Sequence, residues 1–238
     1  MQALAAPRAV SSEGSRSVTP DFAHLVDQVR TGSGRTGSDP APLLRRPFDQ
    51  ALIADALHLA TGVHRGQLRA DRTAYIAHPV RVARLAASWD ENTDQDIVAA
   101  ALLHDVVEDS DTPLAQITDR FGTRVAAIVD AVSAATPSPG ETREQRRARK
   151  LAKLARLTDA DEGTLLVHAC DVLDNTISWR YLRPVDAAWS KIPRWMFQLR
   201  QYQFCLLDPH YPQIAGLLSD ELGFQQSRGL ATGSWDTP

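Results

Sequence analysis

From Pro47 onward the apolar residues recur at three- and four-residue steps, the spacing that lines them along one face of a helix. Phe48 to Ala60 (FDQALIADALHLA) carries this period and predicts a helix with Gly62 as its C-cap. His78 to Trp89 (HPVRVARLAASW) predicts a second, with Pro79 at a tolerated first-turn position. Asp94 to Val107 (DQDIVAAALLHDVV) predicts a third, capped by Asp94. Leu114 to Phe121 and Thr123 to Val132 follow, and the Pro-Ser-Pro-Gly run ending at Gly140 breaks the pattern. Beyond it, Glu141 to Leu157, Thr164 to Tyr181, Pro193 to Leu207 and Tyr211 to Leu222 again repeat at helical period. No segment alternates convincingly with period two. The pattern predicts an all-α helical bundle, a single domain over residues 47–223.

The flanks read differently. Residues 1–46 are rich in Ser, Gly, Pro, Ala and Arg, a composition that buries too little apolar surface to offset its ordering entropy. A disordered N-terminal tail is expected there, with room for one short helix at Phe22 to Arg30. Gly32-Ser33-Gly34 has no strand before it and so lacks the setting of a phosphate loop. Residues 224–238 are polar and predict a loose C-terminal tail.

Composition narrows the class. Of 238 residues, 43% are hydrophobic and 23% charged, the balance of a soluble globular chain, and a net charge of −3 argues against general nucleic-acid binding. No apolar run reaches the length of a membrane span, and Met1 to Val10 lacks the basic start and apolar core of a signal peptide. The cytoplasm is the expected compartment. Cys170 and Cys205, both in apolar surroundings, are expected to be buried small hydrophobes in a reducing environment. Trp179, Trp189, Trp195, Tyr202 and Phe204 are expected to pack in the core or at a dimer contact.

The chemistry concentrates in Ala101 to Pro113 (ALLHDVVEDSDTP). On a helix, His104 and Glu108 stand one turn apart, as do Asp105 and Asp109, forming one polar ridge. Four carboxylates, counting Asp111, crowd a helix end that already carries partial negative charge, and a divalent cation would resolve the conflict. Two further ligands are candidates. His78 opens a helix in Tyr75 to Pro79 (YIAHP), and Asp171 is a carboxylate embedded in the apolar helix around LLVHACDVLDNT, where an unpaired charge is costly. Two imidazoles with two carboxylates suit Mn²⁺, with Zn²⁺ or Fe²⁺ as alternatives, and leave positions open for water.

These segments resemble the HD-superfamily hydrolase domain of the RelA/SpoT homologues in its small stand-alone form. The match runs through HRGQLR (64–69), YIAHPVRVA (75–83), AAALLHDVVEDS (99–110), FGTRVAAIVDAV (121–132) and DVLDN (171–175). It implies removal of the 3′-diphosphate of (p)ppGpp, a small-molecule nucleotide substrate, and no synthetase domain. It also implies manganese ligation by His78, His104, Asp105 and Asp171, a catalytic acidic pair in Glu108 and Asp109, and guanine stacking by Arg69. Asn175 corresponds to a substrate-side asparagine, and Ser178 falls where the family has a threonine near the base. The chain departs from the family where Ala70 and Ala134 replace lysines, His168 replaces another, and the aspartate-arginine-leucine-histidine-asparagine run reads DVLDN. Another phosphorylated nucleotide, or a non-catalytic nucleotide-binding role, is the alternative reading. The basic stretch Arg143 to Lys153 is open to three interpretations: phosphate contacts, a solvated face, or an RNA-binding stripe.

Overall fold

The computed structural model describes residues 20–31, 48–89, 93–135 and 138–234. The signal-peptide and glycine-loop readings at Met1 to Val10 and Gly32 to Gly34 fall outside these residues. Within them the chain is all-α, with one isolated bridge, Leu68 to Ala74, as its sole β pairing.

Sequence determines the order of burial. The helix Gln95–Leu103 (α4) is apolar on every side from Ile97 onward, and such a helix has to lie at the centre. Residues Ile97 to Leu103 are all buried, packed against Gln50–Val63 (α2), Ala77–Trp89 (α3) and Thr123–Val132 (α7). Asp94 caps α4 by accepting from the N–H groups of Asp96 and Ile97 at 3.0 and 3.1 Å. The predicted third helix is interrupted: α4 stops at Leu103, His104-Asp105 form a turn, and a short helix, Val106–Asp109 (α5), follows. Leu114–Phe121 (α6) and α7 begin and end where the periodicity places them. Gly62 does not cap α2; the helix runs through it, and the His64 N–H closes the end on Ala60 O at 3.0 Å.

Arg143–Leu157 (α8) starts at a capping box in which Thr142 and Gln145 satisfy each other's backbone N–H groups. Glu162–Ser178 (α9) is the second buried helix and packs against α3, α4 and α7. The segment predicted as one helix from Pro193 divides into Ile192–Gln198 (α10), a π turn at Leu199–Gln203 and Phe204–Leu207 (α11).

The short helix expected at Phe22 to Arg30 forms, and the C-terminal flank is more ordered than expected. Pro20–Thr31 (α1) is a helix docked on the bundle: Phe22, Val26 and Val29 are buried, and Phe22 meets Trp89 edge-on at 5.0 Å. The apolar stripe of one short amphipathic segment outweighs the polar composition around it. Pro212–Ser227 (α12) runs past residue 223, because Glu221 and Gln225, one turn apart, face inward and are fully buried. Glu221 accepts from Arg30 Nε at 2.6 Å and from Arg180, tying α1 and the 3-10 turn Trp179–Tyr181 after α9 to α12. Gly233 N–H donates to Pro193 O at 2.8 Å, so the chain after α12 is also fastened. Of the two cysteines Cys170 is buried, but Cys205 is exposed on α11, and both are unpaired.

Candidate metal centre and nucleotide cavity

Four side chains from three separate segments converge. His78 comes from the first turn of α3, His104 and Asp105 from the turn after α4, and Asp171 from the middle of α9. The two Nε2 atoms lie 3.2 Å apart. His78 Nε2 is 3.2 Å from Asp171 Oδ1 and 3.6 Å from Asp105 Oδ2. His104 Nε2 is 3.1 Å from Asp105 Oδ2 and 3.6 Å from Asp171 Oδ1. His78, His104 and Asp171 each place a ligand atom within 4.8 Å of the others, and Asp105 joins through its contacts to both imidazoles.

The tautomers explain what this cluster needs. His78 Nδ1 faces Asp174 Oδ2 at 2.7 Å, and His104 Nδ1 faces Ala101 O at 2.8 Å. Both partners only accept, so each Nδ1 carries a proton and each Nε2 is left facing the centre, where it can offer a lone pair to a cation. Two lone pairs and two carboxylates facing one another are mutually repulsive unless something positive lies between them. A divalent cation fits that donor set. Burial would lower the His104 pKa, but Asp105 and Asp171 outweigh it and hold it well above the ordinary imidazole value. Burial would raise Asp105 and Asp171, and His104 and His78 outweigh it and hold both carboxyls low. Tyr75 O–H donates to Asp105 Oδ2 at 2.8 Å, its own pKa raised by burial and by the Asp105 charge.

Asp109 keeps its place one helical turn beyond Asp105, its N–H donating to Asp105 O at 2.9 Å. Glu108 lines the cavity described below, and Asp109 lies beside Asp105 and Tyr75. Glu108 Oε2 accepts from Ala134 N–H at 2.9 Å. Burial and the nearby Asp105 charge raise the Asp109 pKa.

Beside the four-residue cluster lies a cavity of about 480 Å³. Its floor carries Asp171, Asn175 and Ser178, successive positions on one face of α9. Arg69 Nη2 donates to Asn175 Oδ1 at 2.6 Å, and Asn175 Nδ2 donates to Asp171 Oδ1 at 2.5 Å, so these three are linked. Ser178 Oγ donates to Asn175 O at 2.6 Å. Arg69 sits on a turn in which Arg72 adopts a positive φ of 67° and donates its N–H to Arg69 O at 2.9 Å.

The basic stretch divides between two roles. Arg149, Lys150 and Lys153 line the cavity, while Arg143, Arg146 and Arg147 are exposed on the outer side. Arg149 is committed to Glu141 at 2.8 Å, and Arg156 donates to Ser133 O at 2.6 Å, fixing α8 to the preceding loop. Lys150 and Lys153 have no carboxylate within ion-pair reach among the described residues. Lys150 keeps exposed surface, yet desolvation by its surroundings and the charges of Arg194, Arg149 and Arg146 lower its pKa. His168 also lines the cavity; its Nε2 pairs with Gln203 Oε1 at 2.8 Å, and burial and Lys153 push its pKa down to about 4. Trp179 is buried in the core as expected, with Trp189, Trp195 and Phe204 packed against that core; Trp179, Trp195 and Tyr202 also border the cavity, the two indoles stacked at 5.7 Å.

Sequence reading missed Tyr75, Arg81 and Asp174. The signal for the last two was present: one cation and one carboxylate, each in an otherwise apolar helix three residues after a candidate ligand.

Paired histidines and aspartates at the centre of a helical bundle define a class. The chain belongs to the HD-domain family, whose model matches residues 56–183. Within that family its likeness is to alarmone hydrolases of the RelA/SpoT type. It is 39% identical over 97 residues to guanosine-3′,5′-bis(diphosphate) 3′-pyrophosphohydrolase MESH1 of Danio rerio, covering 40% of this chain and 54% of that protein. It is 35% identical over 126 residues to guanosine-3′,5′-bis(diphosphate) 3′-pyrophosphohydrolase of Haemophilus influenzae, covering 53% of this chain and 18% of that one. The matched stretches thus span about half of the first relative and less than a fifth of the second. A solved structure, described as a metazoan orthologue of SpoT that hydrolyses ppGpp, superposes with a TM-score of 0.64 at 24% identity. That superposition covers 78% of this chain and 99% of the other, a likeness of fold.

Proposed function

We propose that this chain is a metal-dependent hydrolase that removes the 3′-diphosphate of (p)ppGpp, giving GDP or GTP and pyrophosphate. The convergence of His78, His104, Asp105 and Asp171 on one point carries the reading, since this donor set has little use without a divalent ion. Mn²⁺ is the favoured ion for a mixed imidazole and carboxylate site, with Zn²⁺ or Fe²⁺ next. The names of the relatives point to the same substrate. The two unpaired cysteines suit the cytoplasm, and no helix among the described residues is long and apolar enough to cross a membrane.

When bound, the ion supplies Lewis acidity to a phosphoryl oxygen and acidifies water. The protein's own groups do the rest. Glu108, held by Ala134 N–H, takes a proton from the attacking water. The water oxygen bonds to the phosphorus attached to the ribose 3′-oxygen, and the bond from that phosphorus to the 3′-oxygen breaks. The proton taken by Glu108 returns to the departing 3′-oxygen, giving the ribose hydroxyl and pyrophosphate. Asp109, one turn beyond Asp105, helps to orient the attacking water. Arg69 holds the base, oriented through Asn175, with Ser178 beside it. Lys150 and Lys153 offer positive charge to the phosphates.

A second reading, another phosphorylated nucleotide, is favoured by one observation. Ala70 and Ala134 border the cavity at positions where the resembled family has lysines. Metal analysis of the purified chain followed by assays of ppGpp, pppGpp and other 3′- or 2′-phosphorylated nucleotides with Mn²⁺ decides between them. Pyrophosphate release from ppGpp, abolished by a chelator and by Asp171→Ala, is expected. Monophosphate release from a different nucleotide establishes the second reading, and full turnover by Asp171→Ala refutes the metal site.

A further inference from the structure

The two imidazoles of the centre are backed differently. His104 Nδ1–H donates to a neutral carbonyl, Ala101 O, whereas His78 Nδ1–H donates to a carboxylate, Asp174 Oδ2, at 2.7 Å. Asp174 is fully buried, and Arg81 grips it with two parallel bonds, Nε to Oδ1 at 2.6 Å and Nη2 to Oδ2 at 2.9 Å. Arg81 and His78 are three residues apart on α3, so one helix face presents both the ligand and the cation that holds its backing group. A buried carboxylate stays ionised only when a partner offsets its desolvation, and Arg81 is that partner. The pair is also covered from outside. Leu25, Gln28 and Val29 of α1 close over Arg81, Arg84 and Leu85, leaving a crevice of about 10 Å³ between the helices. Arg81 is accordingly 4% exposed.

We propose that α1, Arg81 and Asp174 form a positioning unit for His78. In this unit α1 keeps Arg81 out of water, Arg81 keeps Asp174 charged and fixed in two directions, and Asp174 sets the tautomer and direction of the His78 ring. A carboxylate behind a ligating imidazole raises its basicity and fixes its aim, and loss of such a partner typically weakens metal binding about 10- to 100-fold. The proposal rests on the metal reading above, and gives a role to an N-terminal segment whose composition suggested none. Asp174 also stands where the related run DRLHN has histidine, so the arrangement belongs to this chain's own sequence.

The test is equilibrium binding of Mn²⁺ and Zn²⁺ to the full-length protein, measured by competition with a chromophoric chelator, with far-UV circular dichroism as the control for folding. Asp174→Asn is expected to bind the ion about 10- to 100-fold more weakly while remaining helical. Because this variant removes the carboxylate that Arg81 grips, the double variant Asp174→Asn, Arg81→Gln accompanies it. That double variant removes both charges; it is expected to regain folding stability without regaining affinity, a separation that a merely structural ion pair would not show. Phe22→Ala loosens α1 through its buried contact with Trp89 and is expected to weaken binding less than Asp174→Asn does. Parental affinity in folded Asp174→Asn or in the double variant overturns the proposal, and parental affinity in Phe22→Ala removes α1 from it. Absence of divalent-ion binding by the parent protein refutes the metal reading itself, a different result from either.

Discussion

Replacing Glu108 separates chemistry from scaffolding. Glu108 Oε2 accepts the Ala134 N–H at 2.9 Å, a bond that the side-chain oxygen of Gln can retain. Glu108→Gln therefore removes the base and leaves the cavity wall in place. General-base assistance is typically worth ~10²- to 10⁴-fold, or roughly 3 to 5 kcal/mol of barrier at one decade per 1.36 kcal/mol. In a pyrophosphate-release assay with ppGpp and Mn²⁺, kcat is expected to fall within that range while KM and the thermal midpoint change little. Glu108→Ala removes the acceptor as well, and an N–H left unsatisfied costs about 1 to 3 kcal/mol. The Ala variant should thus be less stable than Gln, yet no slower by more than a small factor. Asp109→Asn, on the solvent side, should lower kcat less than Glu108→Gln does. If Glu108→Gln turns over within a factor of about three of the parent, far short of the usual general-base contribution, the assignment of the base fails.

Three further outcomes follow from the same geometry. Lys150→Gln and Lys153→Gln are each expected to raise KM for ppGpp about tenfold, the low end for a charge-assisted bond at a partly exposed site. The parent's KM should rise with salt more steeply than that of the double variant, and equal salt dependence would disconnect α8 from the phosphates. Glu221→Gln leaves Arg30 and Arg180 facing a neutral amide in a buried setting, and breaking such a pair costs roughly 3 to 5 kcal/mol in urea unfolding; a loss below 1 kcal/mol would show that water reaches this triad. His168 is held neutral in the fold, with its pKa pushed down to about 4 from the ordinary 6.5. The unfolded chain therefore binds a proton between these values that the folded chain refuses, so stability falls as pH drops from 6.5 to 4, by at most about 3 kcal/mol. His168→Gln should flatten that part of the stability profile, and an unchanged profile would place the acid sensitivity elsewhere.

The sequence by itself determined most of the helices and marked four polar side chains that the fold brings together. Apolar spacing located α6 and α7 to the residue, and the all-apolar run Ile97 to Leu103 foretold the central helix, because local periodicity is written in consecutive residues. His104, Asp105, His78 and Asp171 were legible because charge or imidazole inside an apolar helix is costly without a partner. Only the tertiary structure decided what lies opposite what. Ninety-three residues separate Arg81 from Asp174, and no local pattern records that α3 and α9 pack so as to pair them. The inward turn of Lys150 and Lys153 depends on Arg149 and Arg156 pinning α8 to the loop before it, a constraint absent from the helix's own basic composition. The helix of α1 was legible but its docking was not: its apolar stripe is short, surrounded by polar sequence, and acquires meaning only against Trp89 and Arg81, residues it meets after the chain has folded back.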